Sequence, residues 1–309
     1  MGFKKIIAAT MTVGMVMSFI PATVMADRPG WDLGDDGYWS YYTSETEYVT
    51  GWKYIGSYWY WFDDDGDMAC STWRLLKDGD GQDYWYHFDK NGHMEKNKWI
   101  EDKGGDGDPS YWSYLDGKGH SVMGWYKVKG VWYYFDPDED GCMAADVMVK
   151  DTSGDYYFFN SNGSYLKNKW KKVDGYWYYF TGSGAAAKGW KKISGKWYYF
   201  DPESAYMYAD RGLEDNGKRY IFGADGAMVT GWYKWKMDEE MTIWFYAGSD
   251  GVVYRNKWLQ SKGIWYYFDN NSVMVFSNTD YEINGRFYDF AESGALLKPY
   301  NGRSTPSAM

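Results

Sequence analysis

A tryptophan-centred repeat of 20 to 26 residues occupies almost all of this chain and restricts its fold more than any other feature. Tryptophans that follow Gly, Thr or Lys mark the units, and two intervals are double because Met148 and Gly212 stand where a Trp is missing. The markers are Trp31, Trp52, Trp73, Trp99, Trp125, Trp170, Trp190, Trp232 and Trp258. A period of this length is typical of chains that stack one supersecondary unit after another. We count about twelve units.

Each unit has the pattern of a β-hairpin. The clearest copy begins at Gly189-Trp190, passes through a polar stretch to Gly195, and continues as Trp197-Tyr198-Tyr199-Phe200. Trp, Tyr and Phe favour strands, and a glycine-containing turn between two short aromatic runs is a hairpin signal. Because an isolated hairpin is only marginally stable in water, each unit needs its neighbours to form a core. The repeat therefore predicts an all-β fold, an elongated solenoid of stacked β-hairpin repeats.

The N-terminal segment has a different character. Lys4 and Lys5 precede an apolar run that ends at Ile20, and the small-residue site Val24-Met25-Ala26 follows. This is the plan of a secretory signal peptide. The run of about 15 residues is shorter than the roughly 20 needed to span a membrane. We expect residues 1–26 to be a signal peptide, residues 27–309 to form the repeat domain, and the product to be secreted without a membrane span.

Charge and cysteine content exclude several classes of function. The chain has 33 Lys and Arg against 43 Asp and Glu, and its net charge of −10 argues against nucleic acid or an anionic membrane surface as partner. Cys70 and Cys142 lie three repeats apart, too far for a disulfide in stacked hairpins, so both are expected to be free and largely buried thiols.

Catalytic and metal-binding patterns are also missing from the sequence. His87, His93 and His120 have neither a nucleophile motif nor metal-ligand spacing beside them. Residues 136–141 read like the start of a calcium loop, but Val147 stands where the bidentate Glu would be needed, and Asp, Pro and Gly are ordinary turn residues. The sequence predicts no enzymatic activity, no cofactor and no metal site.

The aromatic residues of each unit are predicted to share a binding face. In residues 177–180, alternation places Trp177 and Tyr179 on one face, and pairing across a two-residue turn adds Trp170 to it. In a stack, we expect the second Tyr of one unit to reach the Trp pair of its predecessor. Three uncharged, electron-rich rings can bind a quaternary ammonium group. Each site is weak, but several sites that bind one polymer raise the overall affinity. The alternative is that the rings serve only as core.

The recurring pattern Gly-Trp-x(4)-Gly-x-Trp-Tyr-Tyr-Phe-x(3)-Gly-x-Met resembles the choline-binding, or cell-wall-binding type 1, repeat of Gram-positive surface proteins and lysins. The resemblance covers residues 30–309. It implies a left-handed superhelix of hairpins that attaches non-covalently to choline on teichoic and lipoteichoic acids of the cell wall. In that family each site lies between consecutive hairpins, with two Trp from one, a Tyr from the next, and often a Met wall.

Carried onto this chain, the resemblance implies five candidate choline cages. They are Trp73, Trp85 and Tyr114; Trp99, Trp112 and Tyr134; Trp170, Trp177 and Tyr199; Trp232, Trp244 and Tyr267; and Trp31 and Trp39 with Trp61 in place of the Tyr. At four other joints the expected Tyr is replaced, by His87, Phe158, Ile221 and Asp289. We therefore expect about half of the joints to bind ligand and the rest to be structural.

Two other functions remain open at this point. Similar aromatic repeats occur in glucansucrases and clostridial toxins, where aromatic platforms stack on sugars, so the chain is alternatively a glucan-binding lectin. The Trp retained before Tyr-Tyr favours the cage over the toxin-like pattern. A structural spacer without a small ligand is the third possibility. The expected function is a non-catalytic cell-surface protein that binds choline on the cell wall.

Overall fold

The computed structural model describes residues 29–103, 110–236 and 242–297. Within these ranges the chain forms β-strands, turns and a single 3-10 turn, Pro137–Glu139. No helix there is long and apolar enough to cross a membrane. The predicted signal peptide, residues 1–26, lies outside the described residues. The chain divides into two compact units, of which the first ends at Leu166 and the second begins at Lys167.

The described strands are short, and most have four to six residues. In chain order they are β1 (Gly30–Leu33), β2 (Trp39–Tyr42), β3 (Gly51–Ile55), β4 (Tyr58–Phe62), β5 (Thr72–Lys77), β6 (Asp83–Phe88), β7 (Lys98–Asp102), β8 (Tyr111–Leu115), β9 (Gly124–Val128), β10 (Val131–Asp136), β11 (Cys142–Met143), β12 (Val147–Lys150), β13 (Tyr156–Phe159), β14 (Lys169–Val173), β15 (Tyr176–Phe180), β16 (Gly189–Ile193), β17 (Lys196–Phe200), β18 (Arg211–Asp215), β19 (Lys218–Phe222), β20 (Gly231–Lys236), β21 (Thr242–Ala247), β22 (Lys257–Ser261), β23 (Ile264–Phe268), β24 (Asn278–Ile283) and β25 (Arg286–Phe290).

These strands pair in sequence as antiparallel hairpins, which we number 1 to 12 in chain order. Hairpins 1 to 5 are β1–β2, β3–β4, β5–β6, β7–β8 and β9–β10, and hairpin 6 is β12–β13. Hairpins 7 to 12 are β14–β15, β16–β17, β18–β19, β20–β21, β22–β23 and β24–β25. The short strand β11 adds a third strand to hairpin 5. The prediction of an all-β chain of stacked hairpin repeats is confirmed.

Two-residue turns close most of the hairpins. In hairpin 7, Val173 pairs with Tyr176, and the intervening Asp174 and Gly175 have φ of 49° and 88°. Positive φ at both central residues is the signature of a type I′ turn, whose twist matches that of the two flanking strands. Glycine is needed at the second position because a side chain there is strained at this backbone angle.

A recurring backbone hydrogen bond joins hairpins 2, 3, 4, 8, 9, 10, 11 and 12 each to the preceding one. The residue at the Met position of the repeat donates its N–H to the carbonyl of the second Trp of the hairpin before. Met68 donates to Trp39 O at 2.8 Å, and Met207 donates to Trp177 O at 2.7 Å. Because this bond recurs at equivalent positions, the loop after each of these hairpins holds the second strand of its predecessor in place.

The core lies where consecutive hairpins meet. The last aromatic position of the second strand is fully buried in most repeats, at Phe62, Phe88, Phe135, Phe159, Phe180, Phe200, Phe222 and Phe268. Phe200, for example, lies against Trp170 of the preceding hairpin, with ring centroids 5.7 Å apart. Burying one such side chain stabilises the fold by about 1.5–3 kcal/mol. Hairpins 7 and 8 therefore share one core at their joint.

Cys70 and Cys142 do not form a disulfide. Cys142 in β11 is partly buried, whereas Cys70, in the loop after hairpin 2, is exposed. The prediction that both thiols are largely buried is therefore wrong for Cys70, because the connecting loop presents this position to solvent rather than to the joint.

Candidate functional site

Pairs of indoles stand on one face of each Trp-containing hairpin. In hairpin 7, Trp170 lies directly opposite Tyr179 and Trp177 lies opposite Lys172, so both indoles share a face as expected. Six pairs have ring centroids 6.2–6.4 Å apart at interplanar angles of 76–88°. They are Trp31–Trp39, Trp52–Trp59, Trp99–Trp112, Trp190–Trp197, Trp232–Trp244 and Trp258–Trp265. Each pair forms two nearly perpendicular walls.

A tyrosine of the next hairpin supplies the third wall, and it is the first Tyr of the Trp-Tyr-Tyr-Phe run. Its ring centroid lies 4.7–5.0 Å from that of the first indole. The eight contacts are Trp31–Tyr60, Trp52–Tyr86, Trp99–Tyr133, Trp125–Tyr157, Trp170–Tyr198, Trp190–Tyr220, Trp232–Tyr266 and Trp258–Tyr288. We call these eight sets of two Trp and one Tyr the aromatic joints.

The predicted third members of the cages lie elsewhere. Tyr134, Tyr199 and Tyr267 pack on the first indole of their own hairpins, Trp125, Trp190 and Trp258, at 5.4, 5.4 and 5.0 Å. Tyr114 likewise packs on Trp99 at 5.2 Å, and Trp61 pairs with Trp52 of its own hairpin. Each hairpin has two faces, and its own Trp pair lies on one of them. The opposite face contacts the Trp pair of the preceding hairpin. Alternation puts the first Tyr, not the second, on that face.

Because the first Tyr of the run, and not the second, completes a joint, the set of joints with three rings differs from the predicted set. His87, Phe158, Ile221 and Asp289 do not deprive their joints of a tyrosine, because the residue before each of them is a Tyr that faces the preceding Trp. The joint of Trp73 and Trp85, by contrast, was predicted to have a tyrosine and has none. Ser113, which is fully buried, stands at its tyrosine position, and His87 packs on Trp73 at 5.0 Å. The cage predicted from Trp73, Trp85 and Tyr114 therefore lacks its third ring.

In five pairs the second indole, which is Trp59, Trp112, Trp132, Trp177 or Trp197, is the more accessible one. Trp59 and Trp177 remain 43% and 44% exposed, whereas their partners Trp52 and Trp170 are half-buried. At the joint of Trp170, the side chain of Met207 packs in the same apolar cluster as Tyr198 and closes the inner side. Met207 thus adds an apolar side chain beside the three rings of this joint.

Carboxylates adjoin three of the Trp pairs, a feature that sequence reasoning missed. The indole N–H groups of Trp73, Trp125 and Trp190 donate to Asp102, Asp151 and Asp215 at 2.9, 3.1 and 2.9 Å. Each Asp stands at the end of the first strand of the next hairpin or directly after it. A sequence signal existed, since most other repeats carry an apolar residue at this position, such as Ile55, Val173 and Ile193.

The carboxylate beside Trp125 retains its negative charge at neutral pH. Partial burial opposes ionisation of Asp151, but hydrogen bonds from Ser153, from the Trp125 indole and from backbone N–H groups outweigh it and lower its pKa. This joint therefore combines three rings with a nearby anion.

The phenols of Tyr60 and Tyr157, each a wall of one joint, stay neutral over the physiological range. Burial, followed by the charge of Asp89, raises the pKa of Tyr60, and burial followed by Asp151 raises that of Tyr157. Neutral, electron-rich rings attract a cation that carries no N–H groups. Over the described part of the chain, no three His, Cys, Asp or Glu side chains are grouped so as to hold a metal ion.

Comparison with known families agrees with this geometry. The family described as "Choline-binding repeat" matches residues 122–170 and 167–211. A second family, a cell wall binding repeat, matches residues 50–68, 78–94 and 256–271. Both matches fall on the hairpins and the loops that follow them.

Solved structures share the fold. Choline binding protein F from Streptococcus pneumoniae is 25% identical, with a TM-score of 0.65 over 89% of this chain and 100% of that one. CbpJ from the same species, at 24% identity, has a TM-score of 0.64 over 87% of this chain and 100% of that one, and this likeness concerns the fold alone.

A curated relative is an enzyme of which only a small part is matched. Glucosyltransferase-S of Streptococcus mutans is 27% identical in an alignment that covers 63% of this chain. The matched region spans 12% of that enzyme's length.

Proposed function

We propose that the chain is a non-catalytic, secreted protein built from choline-binding repeats, whose aromatic joints bind the choline residues of teichoic or lipoteichoic acid on the cell wall. The observation that carries this proposal is the recurrence of a Trp pair with a facing tyrosine at eight joints, in six of which the two indoles are nearly perpendicular. Choline presents a trimethylammonium head with no N–H to satisfy, and three neutral ring faces match it.

Affinity arises from repetition. One cation–π contact is worth about 0.5–2 kcal/mol, so a single joint binds choline weakly. Several joints on one chain that face one polymer raise the overall affinity through effective concentration, without any new contact. A protein bound in this way attaches to the wall without a covalent anchor, and free choline at high concentration displaces it.

Glucan binding is the second candidate, supported by the match to a glucosyltransferase. Sugars bind to aromatic platforms by stacking on a flat ring face. In six of the aromatic joints, the perpendicular second indole and the tyrosine obstruct such stacking on the first indole. This geometry favours a compact cationic head over a pyranose ring.

A titration of the exported protein distinguishes the two ligands. We expect millimolar choline to shift the tryptophan emission and to release the protein from choline-containing walls, while isomalto-oligosaccharides do neither. Trp177→Ala is expected to lower the number of bound choline molecules by one. Phe276→Ala, which removes a ring that is 40% exposed outside the aromatic joints, is the matched control and leaves this number unchanged. Release by oligosaccharide alone would contradict the proposal.

A further inference from the structure

The joint between hairpins 9 and 10 has the backbone of an aromatic joint but none of its indoles. Gly212 pairs with Ile221 just as Trp190 pairs with Tyr199 in hairpin 8, so Gly212 occupies the first Trp position. Arg219 occupies the second, because Val253 donates its N–H to the Arg219 carbonyl at 2.8 Å. This is the same bond that Met-position residues make to the second Trp elsewhere.

A cavity of about 280 Å³ opens beside this arginine. Four cationic side chains line it: Lys218, Arg219, Arg255 and Lys257. Asp250 is the acidic residue in the lining, and Glu214 lies close by, 3.4 Å from Arg255 and 3.9 Å from Arg219. Four positive groups against two negative ones leave a local excess of positive charge on a chain whose net charge is −10.

The Arg219 guanidinium is held in place. Its carbon lies 5.7 Å from the centre of the Phe245 ring, which stands at the tyrosine position of hairpin 10, and Nη1 donates to the Asn271 carbonyl at 2.7 Å. The protein's own cation thus covers the ring that would face choline at other joints. A second cation is repelled here, whereas an anion gains charge-assisted hydrogen bonds.

We propose that this joint binds a phosphate group through Arg219 and Arg255, with Lys218 and Lys257 adding charge. Guanidinium groups match the oxygens of a phosphate in a planar fork, and four cations suit a tetrahedral anion with several acceptors better than a single carboxylate. The site itself stands apart from choline binding. Only the assignment of its phosphate to the phosphodiesters of a choline-bearing polymer rests on the proposed function.

Phosphorus NMR tests the site with inorganic phosphate as the probe. We expect the full-length protein to broaden the phosphate resonance and the double variant Arg219→Gln, Arg255→Gln to weaken this binding by about tenfold or more. Lys191→Gln, which neutralises an exposed cation on hairpin 8, is the control and should bind phosphate like the parent. Thermal unfolding verifies that each variant is folded.

A gain-of-function variant gives an independent result. Gly212 has an ordinary backbone angle, and a Cβ there would meet its nearest atom at 3.6 Å, so a side chain is tolerated. The double variant Gly212→Trp, Arg219→Trp restores the indole pair. We expect it to lose phosphate binding and to bind one additional choline.

Three results would overturn the phosphate site. The first is that the phosphate resonance is still broadened by the Arg219, Arg255 double variant. The second is that the parent protein binds choline but not phosphate. The third is that acetate competes for the site as well as phosphate itself does. If instead the proposed function is wrong, the protein still binds phosphate, but choline does not change the indole signals.

Discussion

Replacing Tyr266 with Ala removes one wall from the joint of Trp232 and Trp244 and leaves the two indoles in place. The Tyr266 ring lies 4.8 Å from Trp232 at 76°, and the two indoles are 6.2 Å apart at 83°. Tyr267, one residue later, points to the other face and packs on Trp258 at 5.0 Å. The two neighbouring tyrosines therefore belong to different joints, and each truncation should affect only its own.

The expected magnitude follows from the loss of one ring. A cation–π contact contributes about 0.5–2 kcal/mol, so Tyr266→Ala should raise the Kd for choline at this joint by about 2- to 30-fold. Tyr266→Phe keeps the ring face and should change the Kd by less than about twofold. Tyr267→Leu, which fills the core without a ring, should weaken the response of Trp258 and spare that of Trp232.

Indole N–H resonances in a nitrogen-correlated NMR spectrum provide a readout for each joint. The signal of Trp232 is assigned from Trp232→Phe, and its shift is followed as choline is added. The reasoning is refuted if Tyr266→Ala leaves the choline response of Trp232 intact. It is equally refuted if Tyr267→Leu, and not Tyr266→Ala, abolishes that response.

The remaining predictions concern stability. Phe200→Ala should cost about 3–5 kcal/mol in urea unfolding because this ring is fully buried, whereas the exposed Phe276→Ala should stay within about 0.5 kcal/mol; similar values for both would contradict a core at the joints. Gly175→Ala should destabilise the fold by about 1–2 kcal/mol because the φ of Gly175 is +88°, and no atom lies near enough for a steric clash to contribute. Gly212→Ala, at an ordinary backbone angle, should not destabilise the fold. Equal losses of stability in the two variants would exclude a backbone cause. The pKa of Asp151 is lower in the folded state than its value of about 4 in the unfolded state, so ionised Asp151 stabilises the fold at any pH above about 4. This stabilisation is lost as the pH falls through the pKa of the folded state. Thermal unfolding should therefore show a smaller acid-induced loss for Asp151→Asn than for the parent, and identical losses would refute this linkage.

Local rules were sufficient to predict the hairpins and the Trp pairs. Alternation along β15 and a two-residue turn place Trp170 and Trp177 on one face, and both features are properties of a single repeat. The choice of ligand class followed from the same local information, because it depends on ring type rather than on exact neighbours. The carboxylates at Asp102, Asp151 and Asp215 escaped notice because their partners lie in another hairpin.

Sequence alone thus determined the repeat, the hairpin, the paired indoles and the chemistry that they favour, since all of these depend on residues close together in the chain. Only the tertiary structure decided which tyrosine completes each joint, which joints have three rings, and that Arg219 replaces an indole beside a cavity. The physical reason is the two-residue period of a strand. Which of its two faces meets the neighbour depends on how one hairpin stacks on the next, and a shift of one residue exchanges Tyr198 for Tyr199 without altering any pattern within the repeat.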